Sequence, residues 1–214
     1  MWFVTTEQTA GRGRRQRAWI APRGNLASSV LEVMRVPPGT AATLGFAAGL
    51  ALEAALQQVS LEARARSGTD FGFRLKWPND VLASGKKLAG ILLEAENVGD
   101  RLAVVVGIGT NVIAAPTDTP YPAVSLHDLG ISVCAEDLFA ALSDAWTELR
   151  GIWDNGRGFP EISPTLAGAR RRPWRAGVDP VRRQCARRRV RQHRRHRLSD
   201  RAHHRRKKGA GFGR

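Results

Sequence analysis

The residues that could do chemistry fall into three short blocks. The first is Glu7-Gln8-Thr9-Ala10-Gly11-Arg12-Gly13-Arg14-Arg15-Gln16-Arg17, followed by Trp19. Glycines let backbone N–H groups come close to an anionic ligand, and arginines add forked donors for carboxylate or phosphate. A flexible solvated loop would have the same composition. The block is not the dinucleotide fingerprint G-x-G-x-x-G, because Gln16 stands where the third glycine would be. The second block is Lys76-Trp77-Pro78-Asn79-Asp80, with Lys86-Lys87-Leu88-Ala89-Gly90-Ile91-Leu92-Leu93-Glu94 just after it. Lys76 at the end of a strand is a candidate cation for the site, or simply an exposed charge. The third block is Val106-Gly107-Ile108-Gly109-Thr110-Asn111-Val112. Two glycines at spacing two empty one face of a strand, which makes either a slot for a flat apolar ring or a bulge.

Elements that could hold these blocks can be read from the pattern. Residues 1–8 read as a strand running into polar residues, and 28–36 as a second strand. Pro37-Pro38-Gly39 marks a break, with Thr40 as candidate N-cap of a helix reaching about Val59. Ser67-Gly68-Thr69 is a turn. Residues 71–77 read as a strand stopped by Pro78. Residues 80–83 and 87–96 read as a hairpin around Ser84-Gly85. Residues 101–112 form an apolar strand broken by Gly107 and Gly109, and 114–126 a Pro/Thr-rich loop. Residues 134–153 read as an amphipathic helix with Leu138, Leu142, Trp146, Leu149 and Trp153 on its apolar side. Strands with two obvious helices predict an α+β domain.

Composition narrows the function classes. The chain has 214 residues, 43% of them hydrophobic, and a net charge of +15. That charge is unevenly spread. Of the 34 Lys and Arg residues, 19 lie in 169–214 beside two Asp, so this segment carries +17 and residues 1–168 carry −2. Four of the five histidines are also in the segment, which leaves His127 alone in the body. A mechanism of several cooperating histidines has no material. Cys134 and Cys185 are far apart and show no metal-ligand spacing; Cys134 reads as a small core hydrophobe, and a reducing cytoplasm suits both. No signal peptide is visible, and the apolar stretch 41–52 is too short to span a bilayer. The expectation is a cytoplasmic protein without a membrane partner. Residues 159–214 are expected to be a disordered, Arg-rich tail, since 169–214 lacks apolar periodicity. Its arginine runs resemble the out-of-frame reading of a GC-rich gene.

In this order and spacing, the blocks in residues 3–113 resemble those of the biotin–protein ligases, also called biotin–[acetyl-CoA-carboxylase] ligases. The resemblance implies an α+β catalytic domain over 1–158, with a mixed, mostly antiparallel sheet and helices on one face, related to class II aminoacyl-tRNA synthetases. It implies ATP-dependent activation of biotin to biotinyl-5′-AMP, then transfer to a lysine of a biotin carboxyl carrier protein. Gln8, Arg12, Gly13 and Arg14 would contact biotin. Lys76 would lie beside the biotin carboxylate and the α-phosphate, with Lys76 and Arg14 as the catalytic pair. Gly107 and Gly109 would line the ring pocket. Arg12, Arg17, Trp19, Lys76 and Asn111 would face ATP, whose Mg²⁺ rides on the phosphates without a protein cage. Two family features are not found in the 214 residues. One is the Ser-Thr-Asn segment upstream of the first block. The other is a small C-terminal β-barrel, whose place the tail takes. An N-terminal DNA-binding domain is not found either, so no specific DNA binding is expected. The readings left beside this one are an inactive shortened ligase, a lipoate or octanoate transferase, and a basic nucleic-acid binder acting through its tail.

Overall fold

The computed structural model describes residues 1–166. Six strands form one sheet: β1 (Trp2–Thr5), β2 (Leu26–Met34), β3 (Arg74–Lys76), β4 (Asp80–Ala83), β5 (Lys86–Val98) and β6 (Arg101–Thr110). Their order across the sheet is β1-β2-β6-β5-β4-β3, and every pairing between them is antiparallel. The helices are α1 (Pro38–Ala42), α2 (Leu44–Val59), α3 (Leu61–Ser67), α4 (Ala135–Trp153) and α5 (Phe159–Leu166). The α+β expectation holds, with more helices than the two the pattern shows.

Period-two alternation divides the sheet into two faces. One is apolar and covered. The cross-strand row Val30–Val106–Leu93 and the row Leu26–Thr110–Ala89–Val81 lie on it. Leu26, Val81, Ala89 and Val106 are inaccessible or nearly so, and Gly45 of α2 lies over Leu93. Helix α2 packs along α4, and its residues from Leu44 to Leu56 are buried on most sides. The other face bears the rows Phe3–Ser29–Gly107–Leu92 and Thr5–Ala27–Gly109–Gly90–Asp80–Lys76. Small and polar types dominate there, and no helix among the described residues covers it.

Several expected boundaries shift, each for a local reason. The Pro-Pro-Gly break opens α1 rather than ending a segment: Pro38 takes the first helical turn, where a missing N–H costs nothing. Thr40 therefore lies inside α1 and caps nothing. Only Arg74–Lys76 of the strand expected over 71–77 is paired, because Gly72 at φ 58° breaks the extended backbone before it; Phe71 and Phe73 are buried in the core. Strand β6 runs unbroken through Gly107 and Gly109. Ser84 and Gly85, both at positive φ, make the tight turn between β4 and β5. Cys134 is half-buried as the residue before α4, its Sγ donating to Asp137 Oδ2 at 3.1 Å. The packed body continues past residue 158, since α5 follows and Ile162 is buried. The rest of the expected tail lies outside the described residues. Residues 38–59, α1 and α2 together, are long and apolar enough to cross a membrane by length and composition, contrary to the expectation drawn from 41–52. The α2 part is the core helix of this fold, buried from Leu44 to Leu56 on most sides.

Candidate active site

The glycine–arginine block is a folded-back loop over the open face. Isolated bridges pair Gln8 with Ala21 and Arg12 with Ala18. The N–H of Trp19 donates to the Gly11 carbonyl at 2.9 Å, and that of Gly13 to the Arg17 carbonyl at 2.7 Å. Gly11 cannot be replaced without moving the loop, because a Cβ there would sit 2.3 Å from the Trp19 carbonyl oxygen. At the tip, Arg15 and Gln16 hold φ of 57° and 58°, a left-handed conformation that costs a non-glycine residue about 1 kcal/mol or more.

Loop and sheet enclose a cleft of about 710 Å³. Gln8, Arg12, Gly13, Arg14, Arg17 and Trp19 line it from the loop side, and Ser29, Gly90, Leu92, Gly107 and Gly109 from the floor. Gly90 and Gly109 are cross-strand partners. Together they form a flat patch, and the Trp19 indole lies on it. A Cβ at Gly109 would be 2.5 Å from the indole Nε1, and one at Gly90 would be 3.3 Å from its ring. So the chain's own ring fills the slot at Gly109. Gly107 stays open, with nothing nearer to its Cβ position than the Leu92 carbonyl at 3.6 Å and Ser29 Oγ at 3.8 Å. The Trp19 Nε1 is buried and has no hydrogen-bond partner among the described residues, an arrangement that costs free energy unless something changes on binding.

A polar chain crosses the cleft wall. Arg14 Nη1 donates to Asn79 Oδ1 at 3.1 Å, and Asn79 Nδ2 donates to Asp80 Oδ1 at 3.1 Å. Lys87 Nζ lies 2.8 Å from the same Asp80 oxygen, 5.6 Å from the Trp19 ring centroid and 5.1 Å from that of Tyr121. Lys87 is on this face because of a β-bulge. Asp80 pairs with Gly90 and Val81 with Ala89, but Leu82 pairs with Lys87, so Leu88 is the extra residue. One extra residue reverses the side to which the next side chain points. Strict alternation would have put Lys87 with Ala89 and Ile91 on the covered face.

Of the residues expected in the site, Gln8, Arg12, Gly13, Arg14, Arg17, Trp19, Gly107 and Gly109 come together around the cleft. Lys76 and Asn111 are not among its lining residues. Lys76 lies opposite Asp80 on β3, the outermost strand, and its side chain is exposed. It is one strand too far out, and Lys87 is the lysine in the cleft. Asn111 is 1% exposed; its Nδ2 donates to the Val124 carbonyl at 3.3 Å and its Oδ1 has no partner among the described residues. Asn79, Asp80 and Lys87, all within the second block, join the expected residues in the cleft. Asn25, buried and outside all three blocks, is a further polar residue near the end of β6. Its Oδ1 accepts the N–H groups of Val112, Ile113 and Ala114 at 3.0, 2.9 and 3.2 Å, and its Nδ2 donates to the Ala114 carbonyl at 2.8 Å. Among the described residues, no group of three or more His, Cys, Asp or Glu side chains converges as a metal site.

Comparison with known proteins agrees with this geometry. Residues 2–111 match the biotin/lipoate A/B protein ligase family. A biotin–[acetyl-CoA-carboxylase] ligase of Paracoccus denitrificans is 38% identical over 179 residues, covering 79% of this chain and 71% of the relative. Another, from Mycobacterium tuberculosis, is 42% identical over 132 residues, covering 61% of this chain and 46% of the relative. The chain thus spans between about half and seven tenths of these relatives. Among solved structures, the biotin protein ligase of Leishmania major in complex with biotinyl-5-AMP is similar with a TM-score of 0.61 and 28% identity, over 84% of this chain and 76% of that one. The Aquifex aeolicus enzyme in complex with biotin and ATP gives 0.60 and 27%, over 77% and 66%. With its sheet, its loop and its cleft, this chain belongs to the biotin/lipoate A/B protein ligase family.

Proposed function

We propose that the chain is a biotin–protein ligase, with residues 1–166 as its catalytic body. The observation that carries this reading is the meeting of Arg12, Arg14 and Lys87 above the open glycine Gly107 in one cleft. In the first step a carboxylate oxygen of biotin attacks the α-phosphorus of ATP. A P–O bond forms, the bond to the β-phosphate breaks, and pyrophosphate leaves. Both partners are anions, so the site must supply positive charge already in place. Lys87, held by Asp80, is the group for the carboxylate and α-phosphate, the role that the family resemblance implies for Lys76. Arg12, Arg14 and Arg17 add charge from the loop. Gln8, Gly13, Ser29 and Gly107 would surround the biotin ring, and Trp19 would cover the reacting atoms and exclude water. Mg²⁺ would arrive on the nucleotide phosphates, which suits a hard cation that keeps its waters.

In the second step the amine of a lysine on a biotin carboxyl carrier protein attacks the mixed anhydride. An amide forms and AMP leaves, with no enzyme nucleophile required. The reading includes a cytoplasmic setting, where ATP, biotin and a carrier would meet. A lipoate or octanoate transferase is the reading kept beside it, since the family's description covers lipoate as well as biotin. The test is incubation of the full chain with MgATP, a carrier domain and labelled biotin, lipoate or octanoate. Label on the carrier from biotin alone supports the proposal. Transfer of lipoate or octanoate instead would replace it, and no adenylate from any acid would mean an inactive ligase.

A further inference from the structure

Asn79 stands between the arginine loop and the cleft lysine, and we propose that it is a positioning residue coupling closure of the loop to presentation of Lys87. The inference rests on the ligase reading above. Asn79 is half-buried, and its backbone is fixed to the sheet because its carbonyl accepts the Ile91 N–H at 2.7 Å. Its side chain has one acceptor end and one donor end. The acceptor takes Arg14 at 3.1 Å, and the donor gives to Asp80 at 3.1 Å. That same Asp80 oxygen holds Lys87 at 2.8 Å. The order is cation, amide, anion, cation.

Chemistry fixes the orientation of this amide. Rotated by half a turn, it would point its NH₂ at a guanidinium and its carbonyl at a carboxylate. Only a short neutral group with both functions satisfies both neighbours. Aspartate would keep Arg14 but meet Asp80 with like charge, and alanine would abandon both. Hydrogen bonds in such a chain polarise and orient one another. When Arg14 swings away with the loop, Asn79 loses the contact that sets its amide plane, and Asp80 loses a defined donor. When an incoming anion draws Lys87 from Asp80, the pull on Asn79 changes in turn. Asn79 touches neither reacting atom in this scheme and acts through Asp80.

The test uses the full chain and two readouts. Trypsin cleavage after Arg14, Arg15 and Arg17 without ligand, followed by mass spectrometry, reads the loop. Pyrophosphate release from biotin and MgATP reads Lys87. Asn79→Ala should speed loop cleavage about tenfold, the worth of one hydrogen bond to a charged group, and slow pyrophosphate release. Asn79→Asp should leave cleavage no faster than in the natural chain while slowing pyrophosphate release about tenfold, since it spoils only the Asp80 side. Equal effects of Asn79→Asp on both readouts, or none on either, would overturn the proposal, and this variant decides alone if Asn79→Ala does not fold. The coupling has its own test, independent of the substrate. Lys87→Ala should speed loop cleavage more in the natural background than in Asn79→Ala, where only its direct contact with Trp19 of the loop is lost. The same acceleration in both backgrounds would sink the coupling. Failure of the natural chain to release pyrophosphate would sink only the ligase reading.

Discussion

The two faces of the sheet are built from the same strands under opposite demands. Along β6, Leu102, Val104, Val106 and Ile108 are at most 6% exposed against the helices, while Ala103, Val105, Gly107 and Gly109 alternate with them on the open side. Bulk on the covered face excludes water and holds the fold. Absence of bulk on the open face makes a floor on which a ring can lie. A strand with glycines at alternate positions would be weak in isolation. Here it is central, paired with β2 and β5 on its two sides, so the neighbouring strands and the packed side carry the stability that the open side gives up.

The comparison can be broken first at the charge on the open face. Lys87→Ala should slow pyrophosphate release about a hundred- to a thousandfold and leave thermal unfolding near the natural value, whereas Lys76→Ala should leave the rate close to normal. A large loss from Lys76→Ala with a small one from Lys87→Ala would reverse the assignment of the two lysines. Next comes the floor itself. Gly109→Val drives a side chain into the Trp19 indole, and the loop must move. Biotin affinity should fall by about 1–3 kcal/mol by calorimetry. The matched change on the covered face is Val106→Ala, where Val106 is fully buried. It should cost about 2 kcal/mol in denaturant unfolding while biotin affinity stays unchanged. If both variants moved both readouts alike, the division of labour between the faces would be wrong.

The smallest expected effect belongs to neither face. Asp128 accepts the backbone N–H of Ser125 at 2.9 Å, and hydrogen bonds from the Ser125 backbone and then its hydroxyl hold the carboxyl below its ordinary pKa of 3.8. A depressed folded-state value stabilises the fold above the unfolded pKa, and the gain disappears as pH falls through the folded one. Natural and Asp128→Asn proteins should therefore differ slightly in melting temperature at neutral pH and converge in acid.

Local signals made much of this legible in the sequence. The Ser84-Gly85 turn announced the β4–β5 hairpin, and the apolar stripe from Leu138 to Trp153 announced α4, because both depend on residues close in sequence. The glycines of β6 announced an empty face, though not that Trp19 from a distant loop would lie on one of them. The choice between Lys76 and Lys87 was not legible by alternation. It depends on a bulge at Leu88, which appears only when β4 and β5 are paired. Asn25 was hidden for a similar reason, since all its side-chain partners lie some ninety residues away.

That residue has a consequence for motion. A single oxygen atom secures three consecutive amide protons, those of Val112, Ile113 and Ala114, just where β6 gives way to the loop running toward Tyr121. None of the three can reach solvent by small independent fluctuations while that atom stays in place. Their deuterium uptake should follow one common opening event, and replacing Asn25 should release all three together while the amides of β5 remain slow.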